Sequence, residues 1–249
     1  MVAFRYSVAY RRGGAPLSHD EVFSRHTPDD LLGPLNEVER ENAPEFLWTA
    51  GPAIDLLRFG TRVSIVGARK ASSDGLRRAR KLARTLAEHG VVVVSGLAEG
   101  IDTAAHETAI ATTNGRTVAV LGTPLNVAYP RQNASLQQRI VEEHLAITQF
   151  SIGHPVLRSN FPRRNRVMAL VSDATVIVEA SDSSGSLSQG WEALRLGRRL
   201  FIMRSVTTRT GLRWPEQMRK YGAEVLAQPE DLLEALPSDV RGSPTALTF

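Results

Sequence analysis

The sequence predicts an α/β fold, a mainly parallel, doubly wound sheet with helices on both faces, and three observations point to it. From Arg62 onward, short apolar runs alternate with runs of helical periodicity, the order expected when each strand is followed by a crossover helix. Val91-Val92-Val93-Val94 is β-branched throughout, as a strand covered on both faces should be. Four polar loops lie beside these runs: Gly67-Ala68-Arg69, Ser95 to Asp102, Phe161 to Arg166, and Ser184-Gly185-Ser186-Leu187. In a parallel sheet such loops gather at the carboxyl edge, where helix N-termini present unpaired N–H groups to anions.

In chain order, a strand is expected over 62–66, followed by a helix over 76–88 that places Leu76, Ala79, Leu82, Ala83 and Leu86 on one face and closes at Gly90. The strand over 91–94 precedes a helix over 101–112. A strand over 117–121 leads through a loop to Pro130 and a helix over 133–143. Shorter strands at 146–149, 175–179 and 199–203 are separated by helices near 164–171 and 187–196. Residues 1–60 read differently, because Pro16, Pro28, Pro34, Pro44 and Pro52 break them up. Only short helices are expected there, at 28–32 and 54–57, so the stretch reads as an accessory segment ahead of a core over 61–205. In the extension over 206–249, short helices at 215–221 and 229–236 flank a brief strand at 224–226, and a loose tail begins at Pro237 and runs through Gly242, Ser243 and Pro244.

Composition narrows the function classes. The chain has 249 residues, 42% hydrophobic and 22% charged, enough for a sizeable core, and its net charge of +4 fits polyanion binding without requiring it. The absence of cysteine excludes disulfides, thiolate metal sites and a cysteine nucleophile, and the six histidines are scattered, against a metal site. No apolar run is long enough for a signal peptide or a membrane span, so a cytoplasmic protein is expected.

Each loop has its own chemistry. In Gly67-Ala68-Arg69-Lys70, the glycine lets backbone approach a ligand and Arg69 can fork onto a phosphate. The G-x-G-x-x-G spacing and a ribose-binding acid are absent, which disfavours a nicotinamide cofactor. In the second loop Asp102 sits at a helix start with His106 one turn on; the two are either an acid/base pair or an N-cap and a structural histidine. The third is densest: Arg158, Arg163, Arg164 and Arg166 stand with Asn160, Asn165 and Phe161 at the start of a helix. Guanidinium forks grip phosphates, the ring can stack on a base, and cations in a first turn oppose the macrodipole unless an anion compensates them. The fourth can form a backbone nest for phosphate, or a turn with a serine cap.

Taken in order, Val63-Ser64-Ile65-Val66-Gly67-Ala68-Arg69, Ser95-Gly96-Leu97-Ala98 with Gly100-Ile101-Asp102 and His106, Tyr129-Pro130 with Asn133, Asn160 to Arg166, and Ser184-Gly185-Ser186-Leu187 closely resemble the DNA processing protein A (DprA, also called Smf) family over about residues 43–204. The resemblance implies an extended Rossmann-like domain that binds single-stranded DNA in a basic pocket, dimerises, and helps load RecA recombinase during DNA uptake and natural transformation. It implies no catalytic residue, metal or cofactor. Carried over by position, Arg69 and the segment Arg163, Arg164, Asn165 and Arg166 contact phosphates, with Phe161 and Asn165 beside them, and Lys70 and Asn160 are counted with the DNA- and phosphate-binding residues. Gly67, Ser95, Gly96, Gly100, Ser184, Gly185 and Ser186 shape the pocket, and Asp102 and His106 support it. Glu99 stands where the family often has arginine. No helix-turn-helix pattern follows the core, so the chain reads as a minimal member.

Two other readings share the fold. Related phosphoribohydrolases carry a loop P-G-G-x-G-T-x-x-E, but residues 182–189 here lack its proline, paired glycines and glutamate, and Glu192 is out of frame. A nucleotide-sensing module is the other.

Overall fold

The computed structural model describes residues 23–236. Its strands are β1 (Ser24–His26), β2 (Leu47–Ala50), β3 (Arg62–Gly67), β4 (Val92–Ser95), β5 (Thr117–Val120), β6 (Leu145–Thr148), β7 (Ala174–Glu179), β8 (Arg199–Met203) and β9 (Glu224–Leu226). Its helices are α1 (Pro28–Leu32), α2 (Glu37–Asn42), α3 (Ser73–Glu88), α4 (Ile101–Ala111), α5 (Ala134–Glu143), α6 (Asn160–Leu170), α7 (Ser186–Arg195), α8 (Arg204–Thr207), α9 (Trp214–Lys220) and α10 (Pro229–Ala235), with single 3-10 turns at Ile54–Leu57 and Arg131–Asn133. Every strand expected from Arg62 onward forms close to its expected bounds. The tail expected from Pro237 and the first 22 residues lie outside the described residues.

All nine strands join one sheet in the order β1-β2-β6-β5-β4-β3-β7-β8-β9. From β6 to β9 every pair is parallel. The chain steps outward from β3 through β4 and β5 to β6, then returns to the other side of β3 for β7, β8 and β9. The winding therefore reverses between β3 and β7, where an open α/β sheet leaves a crevice beyond its carboxyl ends. The register of that pair slips between Val66 and Gly67, so that Gly67 faces Glu179. The domain is α/β and Rossmann-like.

The proline-rich stretch contains more than the short helices expected of it. Leu47–Ala50 lies between Pro44 and Pro52, which flank the strand without interrupting it, and pairs antiparallel with both β1 and β6. The sheet thus gains two strands on the β6 side. The two remaining short helices are capped locally: Thr27 and Asn36 each complete a capping box, with Asp30 and Glu39 respectively.

Polar groups inside the core are tied to particular partners. Glu179 is buried at the end of β7 and accepts from Ser72 N (2.9 Å) and Ser72 Oγ (2.6 Å), while Ser72 Oγ caps α3 by accepting from Gly75 N (3.0 Å). The start of α3 is thereby fastened to β7. His106, wholly buried on α4, lies 2.7 Å from Thr117 Oγ1, which itself donates to Val93 O (2.7 Å). That hydroxyl is already committed as a donor, so His106 Nδ1 carries the proton and donates to it. The result is a link from α4 through β5 to β4, and His106 serves as a structural histidine.

Burial pushes the His106 imidazole down to about 3. The unfolded chain takes up a proton at this residue below about pH 6.5 while the folded protein does not, so stability falls as pH drops from 6.5 towards 3. At pH 5 the loss from this group is about 2 kcal/mol relative to pH 7. Urea unfolding at pH 7 and pH 5 should show His106→Gln less stable at pH 7 and with a flatter pH dependence; equal pH dependence in both proteins would refute the buried neutral imidazole.

Candidate functional site

At the switch point, beyond the carboxyl ends of β3 and β7, lies a cavity of about 610 Å³. Its walls come from three of the four loops singled out by sequence: Gly67 to Lys70 after β3, Phe161, Arg164 and Asn165 on α6, and Ser183 to Ser186 before α7. Ala98 and Asp102, from the fourth, close its floor.

The floor holds two buried groups of opposite charge, Arg164 and Asp102, tied to the same turn at Gly96. Arg164 is 5% exposed; its Nη1 donates to Gly96 O and to Val120 O (2.9 Å), and its Nε donates to Asn165 Oδ1 (3.0 Å). Asp102, equally buried, accepts from Gly96 N (3.2 Å) and Ala98 N (3.3 Å). Burial holds the Asp102 carboxyl above its ordinary range, with the Arg164 charge and the two N–H groups opposing. Burial likewise pushes the guanidinium down, with Asp102 opposing. A Cβ on Gly96 would stand 1.8 Å from Arg164 Nη1, so only glycine fits. Gly100 has φ +77°, and a Cβ there would meet Ala68 O and Arg69 O at 2.4 Å, where the chain leaving β3 crosses the start of α4.

Several expected site residues turn out to serve the frame. Arg164 was expected on phosphate, yet it lines the cavity with two of its three nitrogens given to protein acceptors. Ser95 is fully buried and donates to Ile65 O (2.7 Å), tying β4 to β3. Asn160 is buried and donates to Pro155 O (3.0 Å), outside the cavity wall. Asn165 lines the cavity and donates to Gly185 O (3.2 Å) and Ser188 Oγ (2.6 Å), which fixes the loop before α7. Successive residues on a helix point about 100° apart, and of the run 163–166 only Arg164 and Asn165 line the cavity, while Arg163 and Arg166 face elsewhere. Arg163 lies over the Phe150 ring, 5.3 Å from its centroid. Arg166 pairs with Glu192 at 3.4 Å, and Glu192 also binds Arg195, which leaves that carboxylate neutralised outside the cavity.

The residues that face the cavity form a platform. The Arg69 guanidinium carbon is 5.6 Å from the Phe161 centroid, and the Tyr129 ring lies 5.2 Å from Phe161 on a tilted plane. Tyr129 is 46% exposed and, with Glu99 and Pro130, lines a small slot beside the main cavity. The motif Tyr129-Pro130 does not by itself mark the ring as a site residue; its place in the loop after β5, at the carboxyl edge, is the sequence signal for it. Arg69 and Lys70 are exposed and have no ion-pair partner among the described residues. Across the cavity, α7 begins at Gly185 with no side-chain cap and no acidic residue in its first turn. Ser184 Oγ instead closes its own turn by accepting from Ser181 N (2.8 Å), and the buried Ser186 Oγ has no partner among the described residues. The N–H groups of Ser184, Leu187 and Ser188 are bonded within the turn, and those of Gly185 and Ser186, on the same cavity wall as Arg69 and Lys70, are the ones left to favour an anion there. Among the described residues no cluster of His, Asp or Glu could hold a metal, and no helix is long and apolar enough to cross a membrane.

The model of the DNA recombination-mediator protein A family matches residues 25–237. Protein Smf of Escherichia coli (strain K12) is 38% identical over 219 residues, covering 88% of this chain and 58% of that protein. The X-ray structure of DNA processing protein A from Streptococcus pneumoniae superposes with a TM-score of 0.74 at 33% identity, covering 86% of this chain and 75% of that one. A structure of DNA processing protein A from Helicobacter pylori, a protein with a unique single-stranded DNA binding mode, gives a TM-score of 0.72 at 24% identity, covering 86% and 94%, and supports the fold. The chain spans only part of the length of these curated relatives, 58% for the Escherichia coli protein and 59% for the Streptococcus pneumoniae one. A family model that spans the whole described domain, and relatives that share both its sequence and its sheet, establish that the chain belongs to the DNA recombination-mediator protein A family.

Proposed function

We propose that this protein binds single-stranded DNA in the switch-point cavity, without enzymatic chemistry, and acts as a recombination mediator that passes the strand to RecA recombinase during DNA uptake. The observation that carries the reading is the Arg69–Phe161–Tyr129 platform opposite the uncapped start of α7. A phosphate over residues 184–186 meets helix N–H groups and the cations of Arg69 and Lys70. The attached base stacks on Phe161 or Tyr129. Stacking on a protein ring needs a base free of its duplex neighbours, which selects single strands, and a π-face belongs to every base, which leaves sequence preference low. Contacts to phosphates and base faces leave the pairing edges open for a recombinase. Arg164, Asp102, Ser95 and Asn165 hold the frame. The protein acts as a homodimer, which doubles the binding surface.

The test is fluorescence anisotropy with labelled oligothymidine at several salt concentrations, beside a duplex and a mononucleotide. Arg69→Ala should weaken binding and reduce the slope of log affinity against log salt by about 0.7, one phosphate contact on a single strand. Phe161→Ala should weaken binding about 5- to 150-fold with the slope unchanged, since stacking carries no counterion release. Unchanged affinity in both variants sinks the pocket. Stabilisation by a mononucleotide with no response to oligothymidine would move the assignment to a nucleotide sensor.

Arg164→Ala should cost about 3–5 kcal/mol of folding stability in urea unfolding, because it strands Asp102 and two carbonyls in the interior. Full stability with binding alone reduced would instead make Arg164 a direct phosphate contact.

A further inference from the structure

The carboxyl edge of the sheet continues past the cavity. Pairing of β1 with β2 and of β2 with β6 sets Arg25, Trp48 and Thr148 in one row across three strands, at the carboxyl end of β6. The Arg25 guanidinium carbon lies 4.4 Å from the Phe46 ring centroid and 5.8 Å from that of Trp48. Arg25 is exposed, both rings are half-buried, and Arg25 has no ion-pair partner among the described residues. A guanidinium stacked on rings keeps its in-plane N–H donors for a phosphate. Between this cluster and the cavity stands a second pair of the same kind: exposed Arg163 over Phe150, which follows β6 by two residues, with Arg163 adjacent in sequence to the cavity residue Arg164.

We propose that the strand held in the switch-point cavity continues along this edge, past Arg163, to a second station formed by Arg25, Phe46 and Trp48, where a phosphate meets Arg25 and a base stacks on the ring cluster. The inference rests on the reading of the cavity as a single-stranded DNA site. In the sheet, β3 and β1 are separated by β4, β5, β6 and β2. At about 4.8 Å per strand spacing the two stations stand roughly 24 Å apart. That span suits several extended nucleotides, within the range of about 4–16 that single-strand sites cover.

Two oligothymidines test it, one of about four nucleotides, which fills the cavity alone, and one of about twelve, which reaches both stations. The longer strand should quench tryptophan fluorescence, and Trp48→Phe should abolish the quench; Trp214 is buried and Trp191 lies on α7, away from this edge. Arg25→Ala should weaken the longer strand about 5- to 20-fold and leave the shorter one unchanged. If Trp48→Phe does not fold, Arg25→Ala, an exposed substitution, carries the test alone. Retention of the full length-dependent gain in Arg25→Ala, or a quench that survives Trp48→Phe, overturns the second station. Failure of both strands to bind, or binding insensitive to Arg69→Ala, removes the cavity reading and the second station with it.

Discussion

The site depends on one buried charge. Arg164 enters from α6 and bridges carbonyls at the ends of β4 and β5, with Asp102 on α4 as its counter-charge. Desolvating two ions costs more than an isolated pair returns, so the arrangement leans on the bonds that Gly96, Ala98, Val120 and Asn165 make to Arg164 Nε and Nη1 and to Asp102 Oδ2. Each part demands the next. Gly96 must lack a side chain to admit the guanidinium, Asp102 needs the N–H groups that the Gly96 turn supplies, and Asn165 passes the constraint on to the loop that opens α7.

This interlock reassigns the cations of α6. A cluster of arginines in the first turns of a helix suggests an anion to oppose the macrodipole. Much of that compensation is internal: Asp102 answers Arg164, Glu192 answers Arg166, and the π-face of Phe150 lies under Arg163. The positive charge that faces the cavity comes mainly from the loop after β3, from Arg69 and Lys70. Density of cations in the sequence and density of cations at the site are different quantities, separated by the rotation of the helix.

That separation explains what was legible. The parallel core could be read because β-branched runs and amphipathic helices alternate over residues 62–203, and the location of the site followed because loops after parallel strands share one edge. Gly67, Arg69, Phe161 and the 184–186 loop, all in the cavity lining, are legible in that way. Strands β1 and β2 were not, because both are short, join at one side of the sheet with β2 paired between β1 and β6, and carry only local side-chain signal beside several prolines. Ser95 and Asn160 look like ligand groups in a sequence, and whether a hydroxyl or amide turns outward or ties strand to strand depends on packing that no local pattern encodes. Tyr129 was missed for the opposite reason. Its proposed part in the platform rests on contact with Phe161, distant in sequence, whose ring is seated in a space that Gly122 leaves open: a Cβ there would stand 2.7 Å from the Phe161 ring.

The same rigidity sets where binding free energy is lost. The floor is a closed network, the Phe161 ring is seated against Gly122, and the 184–188 loop is held by Asn165. Little on the protein side remains to be ordered when a ligand arrives, so the entropic cost falls on the ligand. For a flexible single strand that cost rises with each nucleotide fixed, and affinity grows only where a further station returns more than the added nucleotides lose. A site built from separate ring-and-cation stations therefore grips in increments and releases in increments. That property suits a protein whose proposed task is to hold a strand and give it up to another binder, and a single deep pocket could not provide it.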